Sequence, residues 1–230
     1  RTQTFGKSDA LSSREDSKTM ITDLKINAER KQLYYEKGYW TDKTIGDVWA
    51  DQVASHPERT YVTDDQGSSY TYGEIDDRAS RLASWMTTEG VEPGDVVTFQ
   101  VPIWAEFCIV YVACLKCGAV MHPVPPNFND EDLVYNMNKV SARAFICPTE
   151  FHHCDFVEQA YAVKERIPSL KAIAFIDKKG PAPDGAPCLS DICARFEPMT
   201  APPPRIVRRC GVHPVHFGNH RSPESRAVHS

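Results

Sequence analysis

The chain has no apolar run long enough to cross a bilayer. Its longest, Phe107 to Leu115, is bounded by Glu106 and Lys116, whereas a helical span needs about twenty apolar residues. It also lacks the apolar core of a secretory signal. The opening stretch, "RTQTFGKSDALSSREDSKTM", carries Asp9, Glu15 and Asp16, which a mitochondrial presequence avoids. There is no excess of positive charge: the net charge of −5 argues against a nucleic-acid partner for the chain as a whole. No internal repeat stands out. The eight cysteines lack the setting of a disulfide framework, because Cys108, Cys114 and Cys117 lie within "FCIVYVACLKCGAV", where a free cysteine packs as a small hydrophobe. Without a signal peptide, the expectation is a soluble, cytoplasmic, reduced protein with no transmembrane segment. Residues 1–24 read as a disordered leader.

What is present is patterned for a globular chain, with a composition of 41% hydrophobic and 25% charged residues. Residues 26–37 have a helical spacing stopped by Gly38. Ile45, Val48, Trp49 and Val53 form a second helical face, closed by Pro57. "RTYVTDDQGSSYTYGE" alternates around Asp65-Gln66-Gly67, which predicts a hairpin. Ile75, Ala79, Leu82, Ala83 and Met86 make a single stripe on a helix that Gly90 ends. "VVTFQVP" predicts a strand, "WAEFCIVYVACLKCG" a buried helix ended by Gly118, and "AVMHPVPP" a short strand running into prolines. Asn129 is the expected N-cap of the next helix, with acidic residues in its first turn. "RAFICP" and "LKAIAFID" are further strands around the helix "FVEQAYAVKERIP". "KKGPAPDGAP" reads as a surface loop, and "LSDICARF" as a short helix capped by Ser190. Strands alternating with helices predict an α/β fold, its strands parallel and covered on both faces.

One ordered set of motifs resembles the opening of the adenylate-forming enzymes, the group of acyl-CoA synthetases, luciferases and peptide-synthetase adenylation domains. The set is Tyr70 to Ile75, Gly90 to Val96, Glu106-Phe107, Gly118 to Val120 and Pro123 to Pro126. The stretch "ERKQLYYEKGYWTDKTIGDVWADQVASHPERTYV" is similar to that of short- and medium-chain fatty-acid–CoA and cyclohexanecarboxylate–CoA ligases. The resemblance spans about residues 25 to 180. It implies that residues 25–200 are an incomplete first part of the large N-terminal domain, a partial AMP-binding domain. It further implies a partner set of carboxylic acid, ATP and CoA, with Mg²⁺, for the intact enzyme: attack on the α-phosphate of ATP, then transfer of the acyl group from AMP to the CoA thiol. Developing negative charge in such a reaction calls for preorganised donors and a cation.

The family's phosphate loop has the form T-S-G-T-T-G-x-P-K, in which converging backbone N–H groups and a lysine meet phosphate oxygens. No such loop occurs in this sequence. Where the family's order puts it, after "LSDICARFEPMTAPPPR", the periodicity stops and an irregular tail, 201–230, begins. A one-base shift permits His216-Phe217-Gly218-Asn219-His220-Arg221 to become T-S-G-T-T-G, and Pro223-Glu224 to become P-K. The expectation is therefore a loop segment translated out of frame. As a metal site, His213, His216, His220 and Cys210 have no helix or strand pattern to hold them together. As a nucleic-acid arm, Arg205, Arg208, Arg209, Arg221 and Arg226 have neither lysine nor aromatic partners.

The remaining candidates have bland readings. Cys114 and Cys117 share the spacing of redox and zinc motifs but have no second pair, so they read as core. His152 to Cys154 read as a polar helix start rather than as ligands. His122 reads as structural, with the acyl or nucleotide side of a cleft as the alternative. Trp85 and Trp104 read as core or boundary residues, and Glu106 as a helix first-turn charge. No catalytic, cofactor-binding or metal residue is assigned, and no cofactor is expected to bind this chain tightly. The expected function is a truncated, AMP-forming acid–CoA ligase, inactive as this chain alone and poorly soluble because a sheet stopped here leaves apolar faces uncovered. The alternative is a non-catalytic α/β binding or regulatory module with a basic tail.

Overall fold

The computed structural model describes residues 27–152 and 154–200. The expected leader and tail, and with them every tail histidine and arginine named above, lie outside the described residues. Two units are distinguished. In the first, Asn27 caps helix α1 (Ala28–Glu36) by accepting from the Arg30 amide at 3.2 Å, and the chain turns at Gly38 with φ +69°. After it, Trp40 packs edge-on against Tyr34 at 5.1 Å.

The second unit begins with α2 (Ile45–Ser55), started by a reciprocal Thr44–Asp47 capping box. A hairpin follows, β1 (Thr60–Thr63) and β2 (Ser69–Thr71), its turn closed by Asp64, whose Oδ1 accepts from the amides of Gln66 and Ser68. Helix α3 (Tyr72–Thr88) opens on a second capping box, Thr71 with Glu74, and its expected apolar stripe is fully buried. Then come β3 (Val96–Phe99), α4 (Ala105–Cys117), β4 (Val120–Pro123), α5 (Asp130–Lys139) and β5 (Ala144–Pro148). The chain continues with β6 (Glu150–Phe151), β7 (Cys154–Asp155), α6 (Phe156–Lys164), β8 (Ala172–Ile176) and α7 (Leu189–Arg195). Asn129 caps α5 as expected, accepting from the Asp132 amide at 2.9 Å.

Strands β4, β3, β5 and β8 form one parallel sheet in that order. Its register lines up Val97, Ala144 and Ala172 in one row and Phe99, Ile146 and Ala174 in another. These rows share a core with Ile75 and Met86 of α3, Ile109 and Ala113 of α4, and Leu189 and Ile192 of α7. The alternate residues, Phe145, Cys147, Ile173 and Phe175, face a second core with Leu133 and Met137 of α5 and Phe156, Ala160 and Val163 of α6. Both faces of the sheet are thus covered, as the uninterrupted apolar strands require.

Three local expectations need correction. His152 does not start a helix: it sits at φ +50° in the turn between β6 and β7, and α6 begins only at Phe156, capped by Asp155. Ser190 is not the cap of α7, because that position falls to Cys188. The Ser190 amide (3.2 Å) and hydroxyl instead bond to Asp177. The loop after β8 is not all surface, because Lys178 is drawn inward.

Candidate functional site

In an open parallel sheet, ligands bind beyond the carboxyl ends of the strands, where neighbouring connections leave for opposite faces. Here that point lies between β3, whose chain proceeds to α4 on one face, and β5, whose chain proceeds to α6 on the other. The segments meeting there are 100–104 after β3, 149–151 after β5 and 177–178 after β8. Ile103 is 97% exposed, the most open large apolar side chain among the described residues. Beside it Trp104 is buried, packed edge-on against Phe151 at 5.6 Å. Thr149, also buried, donates to the Gly180 carbonyl at 2.9 Å.

The charged centre of this edge is Lys178. Its ammonium bonds to Asp64, to Ser68 Oγ at 2.8 Å and to Glu106 Oε2 at 3.0 Å, and lies 5.4 Å from the Trp104 ring centroid. The side chains of Lys178, Asp64 and Glu106 are only 12%, 3% and 7% exposed. Asp64 also serves α4. Trp104, the N-cap residue, makes no capping bond with its own side chain, and Asp64 Oδ2 accepts from the Ala105 amide at 3.0 Å instead. Burial alone would raise the Asp64 pKa, but the bonds from Lys178, Ala105 and Ser68 outweigh it and hold it at about 2. For Lys178, burial lowers the pKa and the two carboxylates raise it, with a net rise. All three ammonium protons are engaged, so this lysine ties the hairpin, α4 and the end of β8 together. It has no donor left for a phosphate.

Glu106 is therefore a first-turn residue as expected, yet its carboxylate is buried and paired with lysine. Trp104 and Trp85 are core residues, as expected. Cys114 and Cys117 are buried within α4. Burial pushes the Cys114 thiol well up and the Cys117 thiol to about 11, which makes both poor nucleophiles. His122 lies on β4 rather than at the crevice, with Nδ1 3.0 Å from Thr98 Oγ1, and burial lowers its pKa. Cys154 is exposed. Among the described residues no three His, Cys, Asp or Glu side chains gather as metal ligands. Sequence reasoning missed Lys178 and Asp64, which lie 114 positions apart.

Two cavities lined by residues of the second unit bear on ligand binding. One, of about 690 Å³, is lined by residues of both signs, including Glu74, Asp77, Arg78 and Arg81. Arg81 is held by Asp77 at 2.9 Å and by the Phe196 carbonyl at 2.7 Å, and Arg78 lies over the Tyr70 ring at 4.9 Å. The other, of about 460 Å³, lies between residues 126–130 and the start of α6. Neither is lined by a glycine-rich loop of converging amides, so neither fits the phosphates of ATP or its Mg²⁺. No described helix is long and apolar enough to cross a membrane.

Comparison with known proteins gives a consistent result. The family model described as "AMP-binding enzyme" matches residues 49–203. The chain is 38% identical over 163 residues to the medium-chain fatty-acid–CoA ligase of Escherichia coli, covering 71% of this chain and 29% of that relative. It is 30% identical over 145 residues to the 2,3-dihydroxybenzoate-AMP ligase of Bacillus subtilis, covering 63% and 27%. The apo structure of MbtA from Mycobacterium smegmatis superimposes with a TM-score of 0.64 at 26% identity, covering 78% of this chain and 32% of that one. The chain thus spans less than a third of the length of these relatives.

Proposed function

The chain belongs to the family of AMP-binding enzymes, and from that premise we propose that residues 25–200 form the opening part of the large domain of an AMP-forming acid–CoA ligase. Its substrates are fatty or alicyclic carboxylic acids, activated with ATP as acyl-adenylates and passed to CoA. The observation that carries this reading is the 38% identity to a medium-chain fatty-acid–CoA ligase over 163 residues. The residues described here supply the scaffold of the sheet's carboxyl edge. Among them Lys178 is not placed to hold a phosphate, since its buried ammonium is already neutralised by Asp64 and Glu106.

Adenylation accordingly requires residues beyond those in this sequence. ATP–pyrophosphate exchange with medium-chain acids tests the point: the purified 230-residue chain is expected to show none, and robust exchange overturns the reading. The nucleotide sequence provides a separate check. If no one-base shift near Pro202–Pro204 restores the T-S-G-T-T-G loop, the out-of-frame explanation of residues 201–230 fails, while the family assignment stands.

A further inference from the structure

Gln100, the residue after β3, is completely buried. Its backbone N–H donates to the Ile146 carbonyl at 2.9 Å. Its side-chain Nε2 lies 3.2 Å from each of three carbonyl oxygens, those of Pro125, Pro126 and Phe128. From α6, Gln159 donates to the same Phe128 carbonyl at 3.2 Å and to Asp130 Oδ1 at 2.9 Å. The sequence explains the demand. Pro123, Pro125 and Pro126 have no N–H, so this segment is short of donors for its own carbonyls and must import them. The amide orientation of Gln100 follows from its neighbours, since the reverse would set Oε1 against three carbonyl oxygens. The segment so held lines the 460 Å³ cavity, and so does Gln159.

We propose that Gln100 and Gln159 are positioning residues, two amides, one from the end of β3 and one from α6, that together grip 125–130 and fix the shape of this cavity. Its use by a ligand rests on the ligase reading above. The grip does not, and it is tested on the chain alone.

The test is hydrogen exchange on the full 230-residue chain, following the Phe128 amide, which donates to the Pro125 carbonyl at 3.2 Å, with β5 as the internal reference. Gln100→Met keeps the length and removes both donors. It is expected to lower protection at the Phe128 amide about tenfold and leave β5 unchanged. Gln100→Glu is expected to show the same loss at alkaline pH, once the buried carboxyl has ionised and cannot donate. After correction for intrinsic exchange it regains protection as the pH falls and the carboxyl takes up a proton. Gln159→Leu alters only the half-buried partner and is expected to lower protection about threefold. Unchanged protection in Gln100→Met or Gln159→Leu overturns the proposal. So does a Gln100→Glu deficit that is flat with pH, which marks space-filling alone. If the Gln100 variants do not fold, Gln159→Leu decides.

Discussion

Replacing Lys178 by methionine keeps most of the side-chain volume and removes the charge between Asp64 and Glu106. Breaking a buried ion pair from one side costs about 3–5 kcal/mol, because the remaining charge has lost its partner. The low end applies here, since Asp64 keeps its bonds from the amides of Gln66, Ser68 and Ala105. With a urea dependence of about 2 kcal/mol per molar, a loss of about 3 kcal/mol lowers the midpoint by about 1.5 M at pH 7. Acidification gives the sign. In the native chain Asp64 has a folded pKa of about 2 against an ordinary 3.8, so its contribution is complete above the ordinary value and is lost as pH falls towards 2. In the variant two buried carboxylates face each other without a cation. Without that cation the folded pKa of Asp64 rises from about 2, so the deficit is complete at neutral pH and shrinks as the pH falls and this group protonates. The gap between the two proteins must therefore close on acidification. Adding Asp64→Asn and Glu106→Gln to the variant is expected to recover most of the loss, because no charge is then left unpaired. A pH 7 midpoint shift below about 0.3 M, or a gap independent of pH, refutes the reasoning.

Two further outcomes follow, one from the end of helix α4 and one from the burial of the thiols. Gly118→Ala places a side chain at φ +72° just past its end and is expected to cost about 1 kcal/mol, read as a lower melting temperature. Thiol labelling at pH 8 is expected to modify exposed Cys154 quickly, while buried Cys114, Cys117 and Cys147 react only on unfolding. Fast native labelling of Cys117, whose thiol is held at about 11, counts against its burial.

The sheet is legible in the sequence because its signals are local. The apolar strands, the Asn129 cap and the stripe on α3 each depend on residues a few positions apart. The β6–β7 turn is not, since two-residue strands fall below any periodic pattern and His152 adopts a positive φ without being glycine. Lys178 is hidden for a different reason. Followed by Lys179, Gly180 and Pro181 it looks like solvated loop, and its acceptors lie 114 and 72 positions earlier. Glu106 shows both cases: its place in a first turn is a local property, whereas its burial depends on the distant lysine. The family resemblance reached the fold and the broad chemistry but named no residue that binds or reacts.

The ion pairs of Lys178 also constrain how the polypeptide is made. Glu106 leaves the ribosome 72 residues ahead of Lys178, a delay of about 4–14 s at ordinary elongation rates. Until then the two acidic groups have no counter-charge and the hairpin has no salt-bridge anchor. A nascent chain stopped anywhere short of Lys178 would cap α4 with an Asp64 whose charge is unpaired, so this lysine marks the earliest point at which hairpin and helix can be joined by an ion pair.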